Sequence, residues 1–216
     1  MTSESRALTR ATPPVEVHAP AHGGGISNPI LGMLLFITSE VMFFAGLFAA
    51  YFNVRANSPV WPPEGFGDKL HVLPLVGVAT ALLVLSSLTC QMGVWSIRKN
   101  DRRGLVRAIG VTVVLGVVFL VMQAVDYGLL YEDGLRLDSG PFGTTYYTLT
   151  GFHGAHVLGG VIMLAVVLYR GMAGQFSAAH HDMVEATSIY WHFVDVVWIL
   201  LFSLLYILPG TPGATH

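Results

Sequence analysis

The sequence has little charge and almost no cysteine. Lysine, arginine, aspartate and glutamate together make up 11% of its 216 residues, whereas a soluble globular domain carries about 25%. The formal net charge is −2, which provides no basic surface for nucleic acid. Cys90 is the only cysteine, so an internal disulfide is excluded, and its apolar surroundings favour a buried thiol. Together with a hydrophobic content of 53% and a mean hydropathy of +0.62, these absences exclude an ordinary soluble domain.

Long apolar segments are the main feature that is present. Five of them exceed the ~20 residues that a helix needs to cross about 30 Å of hydrocarbon. None has a polar stripe, which a soluble amphipathic helix would need. The segments lie at 28–53, 71–97, 105–131, 142–170 and 186–208. The sequence therefore predicts an all-α fold, an integral membrane bundle of five transmembrane helices within one domain over 28–208.

Lysine and arginine predict the orientation of the bundle. Eight of the eleven fall on one side: Arg6, Arg10, Arg98, Lys99, Arg102, Arg103, Arg107 and Arg170. By the positive-inside rule this side is cytoplasmic, so the N-terminus is inside and the C-terminus is outside. Residues 1–27 are rich in Pro, Ala, Gly and His and lack the apolar segment of a signal peptide. We expect a disordered cytoplasmic tail there and a short outer tail at 209–216.

Ionisable side chains inside transmembrane helices are functional candidates by default. From the rise of a helix, five of them fall in a similar layer of the membrane: Glu40, His153, His156, His192 and Asp195. The two histidines of span 4 are three residues apart, as are His192 and Asp195, so each pair shares a helix face.

Three interpretations of this layer are open. The side chains could form a structural hydrogen-bond network, which we favour, or Glu40 could exchange protons. A b-type haem between His153 or His156 and His192 is the third, although Asp195 is a ready partner for His192. We expect no metal site, because the chain has neither a cysteine pair nor an HExxH motif.

Other polar and small residues are secondary candidates. Asp126 and Gln123, one turn apart, predict a hydrogen-bonded carboxylate near the outer end of span 3. Glu185 lies in a polar turn before span 5. Tyr146 falls near the outer boundary, where we expect interfacial aromatics. A row of small residues on span 4 predicts close helix packing there: Gly151, Ala155 and Gly159.

Four segments resemble subunit III of cytochrome c oxidase and of related quinol oxidases. They are Ser39–Gly46 in span 1 (SEVMFFAG), Gln123–Tyr127 in span 3 (QAVDY), Thr150–Val157 in span 4 (TGFHGAHV) and Tyr190–Trp198 in span 5 (YWHFVDVVW). The resemblance covers about 28–208. By it, Glu40 matches the buried glutamate of the family, while Asp126 stands where the family has glutamate. Longer members have two further spans at the start, so this chain is similar to the short, five-helix bacterial form.

The resemblance implies a non-redox subunit of a proton-pumping haem-copper oxidase of aerobic respiration. It implies a multi-pass protein of the bacterial plasma membrane that packs against subunit I, with subunit II and others nearby. Such a subunit supports proton uptake and binds phospholipid. It holds no cofactor and no catalytic centre, because the haems and copper belong to its partners. It takes part in the oxidation of cytochrome c by oxygen only within the complex. A quinol oxidase subunit is an alternative, and a stand-alone proton-coupled transporter is a weaker one.

Overall fold

The computed structural model describes residues 26–62 and 73–208, so the two predicted tails lie outside it, apart from Ile26 and Ser27. It has five long helices, and the last of them continues into a π-helical turn, Ser203–Ile207. The helices are α1 (Asn28–Ala56), α2 (Leu73–Arg98), α3 (Arg102–Glu132), α4 (Pro141–Met172) and α5 (Asp182–Phe202). All five are long and apolar enough to cross a membrane. The predicted all-α bundle of five spans is confirmed, and its orientation stays a prediction.

The helices begin at residues that suit a first turn. Pro29 and Pro141 lie in the first turns of α1 and α4, where a missing N–H leaves no hydrogen bond unmade. Asp101 caps α3 by accepting a hydrogen bond from the Gly104 N–H at 2.9 Å. Helix α3 starts at Arg102 and α5 at Asp182, earlier than the apolar segments predicted. Charged residues can continue a helix past the hydrocarbon because their ends reach the polar interface.

Helix α5 is the centre of the bundle and α1 is its edge. Helices α2, α3, α4 and α5 pack in a ring in which each contacts the next, and α1 lies against α4 and α5. Half of the most apolar stretch of α5 is buried, compared with 6% for α1. The α2–α3 loop and the α4–α5 loop lie at the same end of the bundle, which we call the loop end.

Two tryptophans attach α5 to its neighbours. Trp191 is fully buried and donates a hydrogen bond from Nε1 to Ser86 Oγ at 3.0 Å. Trp198 donates one to Thr80 Oγ1 at 2.9 Å. The Trp191 ring fills a space between Gly116 and Gly160, where an added Cβ would come within 2.8 and 2.7 Å of the ring. These glycines let α3 and α4 approach α5 closely.

Candidate functional site

Glu40 and His156 form a hydrogen-bonded pair between α1 and α4. The His156 Nε2 atom lies 2.8 Å from Glu40 Oε2. The other ring nitrogen, Nδ1, lies 2.7 Å from the Phe152 carbonyl oxygen. A carbonyl only accepts, so Nδ1 must carry a hydrogen. The link between Nε2 and the carboxyl group therefore holds a single proton, and the pair is neutral overall whichever partner carries it.

Aromatic rings cover this pair on the membrane side. The His156 ring lies 4.9 Å from the Phe44 ring and is stacked on Phe43 at 6.1 Å, measured between centroids. Phe43 in turn packs edge-on against Phe152. The side chains of Glu40 and His156 are 18% and 15% exposed. The pair is thus nearly buried, although it lies at the edge helix.

His192 and Asp195 form a second, separate cluster with two residues of α2. Ser87 Oγ donates a hydrogen bond to Asp195 Oδ2 and lies 2.9 Å from His192 Nδ1. His192 Nε2 lies 3.3 Å from Gln91 Oε1. The histidine and the aspartate are thus joined through a serine on another helix and not directly. The second carboxylate oxygen, Asp195 Oδ1, is buried without a partner.

His153 belongs to neither cluster. It is fully buried, and neither ring nitrogen makes a hydrogen bond with any residue that the structure describes. Its ring is stacked on Trp198 with centroids 4.8 Å apart and meets Phe119 edge-on at 6.0 Å. The five predicted side chains therefore do not make one continuous network, because neighbouring residues on α4 face different helices. Within little more than one turn of α4, the side chains of Phe152, His153 and His156 pack against different residues.

The histidine pairs suggested for haem are engaged elsewhere. Both ring nitrogens of His156 and of His192 already have partners, so neither offers a free nitrogen to an iron atom. His153 has free nitrogens, but Trp198 and Phe119 enclose its ring. Within residues 26–62 and 73–208, no three His, Cys, Asp or Glu side chains group in a way that could hold a metal ion.

Asp126 lies in a third cluster, which the sequence indicated only in part. Its Oδ2 atom accepts hydrogen bonds from Tyr146 at 3.0 Å and from Tyr206 at 3.4 Å, and the two hydroxyl groups also contact each other. Tyr146 is buried, so the expectation that it is an interfacial aromatic was wrong. Its spacing of four residues from Thr150 places it on the inner face of α4, a signal that could have shown this. Nothing in the local sequence indicates Tyr206, which is 80 residues from Asp126.

Gln123 joins the same region of α3 to α4. Its side-chain amide donates to the Thr150 carbonyl at 2.8 Å, and Tyr127 meets the Thr150 hydroxyl at 2.7 Å. A small cavity of about 10 Å³, with room for about one water molecule, is lined by Gln123, Asp126 and Tyr146. Asp126 is thus hydrogen-bonded, as predicted, and it lies at the centre of a buried polar cluster.

Glu185 lies at the loop end, away from the other candidates. It accepts hydrogen bonds from Arg98 at 2.8 Å and lies 3.0 Å from His181 Nε2. Arg98 ends α2 and Glu185 is in the first turn of α5, so this ion pair joins the two helices at the surface.

The predicted row of small residues is not the site of closest packing on α4. Ala155 is exposed, and a Cβ at Gly151 or Gly159 would meet other atoms only at 3.8 and 3.5 Å. The close contacts are at residues adjacent to the row, at Gly154 against Gln123 and at Gly160 against Trp191. The spacing of the small residues predicted the row. The large side chains of α3 and α5, Gln123 and Trp191, instead pack against Gly154 and Gly160.

Comparison with known proteins identifies relatives over nearly the whole chain. The family model for cytochrome c oxidase subunit III matches residues 15–209. Cytochrome c oxidase subunit 3 of a Synechocystis strain is 39% identical, over 96% of this chain and 86% of the relative. The corresponding protein of Corynebacterium diphtheriae is 40% identical, over 92% and 98%. A probable subunit 3 of Nocardia farcinica is 43% identical, over 82% and 86%.

Proposed function

Because the chain belongs to the cytochrome c oxidase subunit III family, we propose that it is the non-redox third subunit of a proton-pumping oxidase and holds an exchangeable proton beside the catalytic subunit. The family is subunit III of the haem-copper oxidases. The match over nearly the whole chain is the observation that carries this proposal. Electron transfer from cytochrome c to oxygen then takes place in partner subunits, which hold the haems and copper.

The Glu40–His156 pair supports the proton-linked part of the proposal. Its one shared proton can lie on either partner without a change in net charge, so the membrane interior bears no added charge when the proton moves between them. Loss of this proton, or uptake of a second one, would leave a net charge, which is expensive at this depth, so we propose that the pair releases its proton only as another replaces it. The nearby aromatic rings keep lipid and water from competing for the bond.

Unpaired cations at the loop end support the proposed orientation and the proposed phospholipid. Lys99, Arg103 and Arg107 make no ion pair with an acidic residue in the described part of the chain. Basic residues next to a membrane are attracted to anionic headgroups. We therefore infer that the loop end faces the cytoplasm and contacts phospholipid there, in the plasma membrane of a bacterium. The relatives named above are bacterial proteins.

Purification of the chain from native membranes in mild detergent tests the assignment. We expect it to bring haem-rich subunits whose visible spectrum and oxygen uptake mark an oxidase. Reduced cytochrome c should support oxygen uptake, and quinol should not, if the donor is the one in the relatives' names. A colourless chain that purifies alone under these conditions, with no oxygen uptake, would contradict the proposal.

A single substitution separates a proton-linked role for Glu40 from a structural one. In Glu40→Gln the amide can still donate a hydrogen bond to His156, but it has no exchangeable carboxyl proton. We expect the purified complex to start at nearly the normal rate of oxygen uptake and then to lose activity several-fold faster during sustained turnover. Ser39→Ala is the matched control, because Ser39 is adjacent and, within the described residues, its hydroxyl donates only to the Phe36 carbonyl. An unchanged active lifetime in Glu40→Gln would mean that the pair is only structural.

A further inference from the structure

Two hydrogen-bonded pairs of side chains lie near the outside of the bundle at membrane depth, and aromatic rings cover only one of the two. The Glu40–His156 pair has the rings of Phe43, Phe44 and Phe152 around it. His192 and Gln91 are half-buried between α2 and α5, and among the described residues no aromatic ring packs against His192. Gln91 lies seven residues before the end of α2, about 10 Å from the loop end, and His192 lies about 15 Å into α5.

Gln91 leaves part of its hydrogen-bonding capacity unused. Its only hydrogen bond within the described residues joins its amide to His192 Nε2 at 3.3 Å. In either orientation of the amide group, the atom that does not meet His192, whether oxygen or nitrogen, has no partner among the described residues. An amide without a partner in hydrocarbon costs several kcal/mol, because no water is available there to satisfy it. The lipid tails of a bilayer therefore make a poor covering for this face.

The surface around Gln91 is otherwise apolar and open. Leu88, Met92 and Trp95 on α2 are each more than half exposed, as is Val196 on α5. Helix α1 packs on α4 and α5, so it does not close this side of the bundle. We call these four residues, with Gln91 and His192, the α2/α5 face. Its apolar residues could face either lipid or protein, and its unsatisfied amide favours protein, because polar side chains hydrogen-bond across helix–helix contacts in membranes.

We propose that the α2/α5 face is the surface on which another membrane-embedded subunit of the oxidase docks. The partner is a transmembrane helix that presents a hydrogen-bonding group to Gln91 at this depth and packs on Leu88 and Trp95. This inference rests on the proposed function, because it requires that the chain belong to a larger complex. The valine-rich side of α3, which includes Val114 and Val121, then faces lipid.

Site-specific photo-crosslinking in the intact complex tests this surface. A benzophenone amino acid replaces Leu88 in one variant and Val114 in the control. These two residues are matched, at 61% and 60% exposed, and lie at about 15 and 18 Å from the loop ends of their helices. After irradiation of native membranes, we expect the Leu88 variant to form an adduct with another oxidase subunit and the Val114 variant to label only lipid. Loss of the partner subunits from the Leu88 variant alone would also locate the interface there.

Other outcomes would overturn the proposal. Lipid adducts alone from position 88 would mean that the face is covered by lipid, and an adduct with a second copy of this chain would make it a self-association surface. A protein adduct from position 114 but not from 88 would place the interface on α3. Failure of the proposed function would look different, because neither variant, nor the unmodified chain, would then purify with haem proteins.

A second measurement uses the hydrogen bond itself. Gln91→Leu keeps most of the side-chain volume and removes the amide, so it should lower several-fold the share of this chain that stays with its partners as detergent is increased. Val114→Leu should leave that share unchanged. Equal retention in both variants would show that Gln91 makes no contact with the partner.

Discussion

The central helix α5 and the edge helix α1 are similar in composition and differ in their surroundings. Their most apolar stretches have mean hydropathies of 1.7 and 2.0, yet half of the first is buried and only 6% of the second. Helix α5 is held by large rings that fit against glycines and donate hydrogen bonds to α2. Helix α1 is held by a layer of phenylalanines, by the Glu40–His156 pair and by a hydrogen bond from the Tyr51 hydroxyl to the Leu204 carbonyl at 3.1 Å. Hydropathy therefore indicates which segments cross the membrane, and side-chain fit decides which of them lie in the centre.

The two helices also differ in role. Helix α5 contributes most to the stability of the bundle, and α1 carries the pair that we propose holds an exchangeable proton. The buried tryptophans of α5 join α2, α3 and α4, so a change there disturbs several helices together. The Glu40–His156 pair lies at the edge helix, away from the buried tryptophans, and we propose that its proton moves with little rearrangement of the core. The following substitutions test this division, in order of decreasing expected effect on stability.

Trp191→Ala should have the largest effect. It removes a fully buried ring and its hydrogen bond to Ser86. We expect the free energy of unfolding to fall by about 3 kcal/mol, the low end for a buried aromatic. The low end applies because the ring is surrounded by lipid, and not by water, when it leaves the bundle. Thermal unfolding of the purified complex in detergent measures this fall. Tyr169→Ala is the control, since Tyr169 is 67% exposed, lies outside the α2/α5 face and should change little. Equal losses in the two variants would contradict the central role of α5.

Gly160→Ala should have the next largest effect. The added methyl group would lie 2.7 Å from the Trp191 ring, so the ring or α4 must move, at about 1–3 kcal/mol. Gly32→Ala on α1 is matched to it, because nothing lies within 4 Å of that position, and we expect it to be neutral or slightly stabilising. The unfolding temperatures of the two variants are compared. Unchanged stability in Gly160→Ala would show that the contact relaxes freely.

Glu40→Leu should be milder. It leaves His156 Nε2 without its partner, and an unsatisfied polar group in the interior costs about 1–3 kcal/mol. We expect the low end of this range, because the pair lies at the edge helix. Glu40→Gln should lose less than Glu40→Leu, since the amide restores a donor to the ring. The same thermal measurement ranks the two, and a reversed order would mean that the hydrogen bond does not stabilise the seam between α1 and α4.

Arg98→Ala should have the smallest effect. Its ion pair with Glu185 is at the surface, where Arg98 is 52% exposed, and such pairs contribute about 0.2–1 kcal/mol. We expect the difference from the unmodified protein to shrink as salt is raised, because salt screens exposed charges. Lys99→Ala, which removes a neighbouring charge without an ion pair in the described residues, is the control. A loss of stability in Arg98→Ala that does not depend on salt would indicate that Arg98 stabilises the protein by more than its ion pair with Glu185.

Much of the fold could be predicted from the sequence, with defined errors at the helix ends. The apolar segments located all five spans, since burial in lipid needs about 20 apolar residues whatever the neighbours are. The helices α3 and α5 begin earlier than predicted, at Arg102 and Asp182, because backbone hydrogen bonding continues into the interface where polar side chains are tolerated. The orientation depends on charge and remains a prediction.

The site could be predicted only as a set of residues. A rise of 1.5 Å per residue placed Glu40 and His156 at similar depth, and it placed His153 there equally well. Which histidine meets the glutamate depends on the rotation of α4 against α1, and spacing along one helix does not contain that angle. The role of Ser87 as the link between His192 and Asp195 had no signal, because a serine in an apolar helix usually bonds to its own backbone.

The sequence by itself determined the membrane class, the number of spans and the residue types in the polar layer, because each follows from the cost of polar groups in hydrocarbon. The family resemblance also rested on residues alone. Only the tertiary structure decided that α5 is central, that Asp126 meets Tyr206, and that Gln91 faces outward without a full set of partners. These depend on helix rotation and on the fit of large side chains against small ones. Both are properties of pairs of helices and not of any one segment.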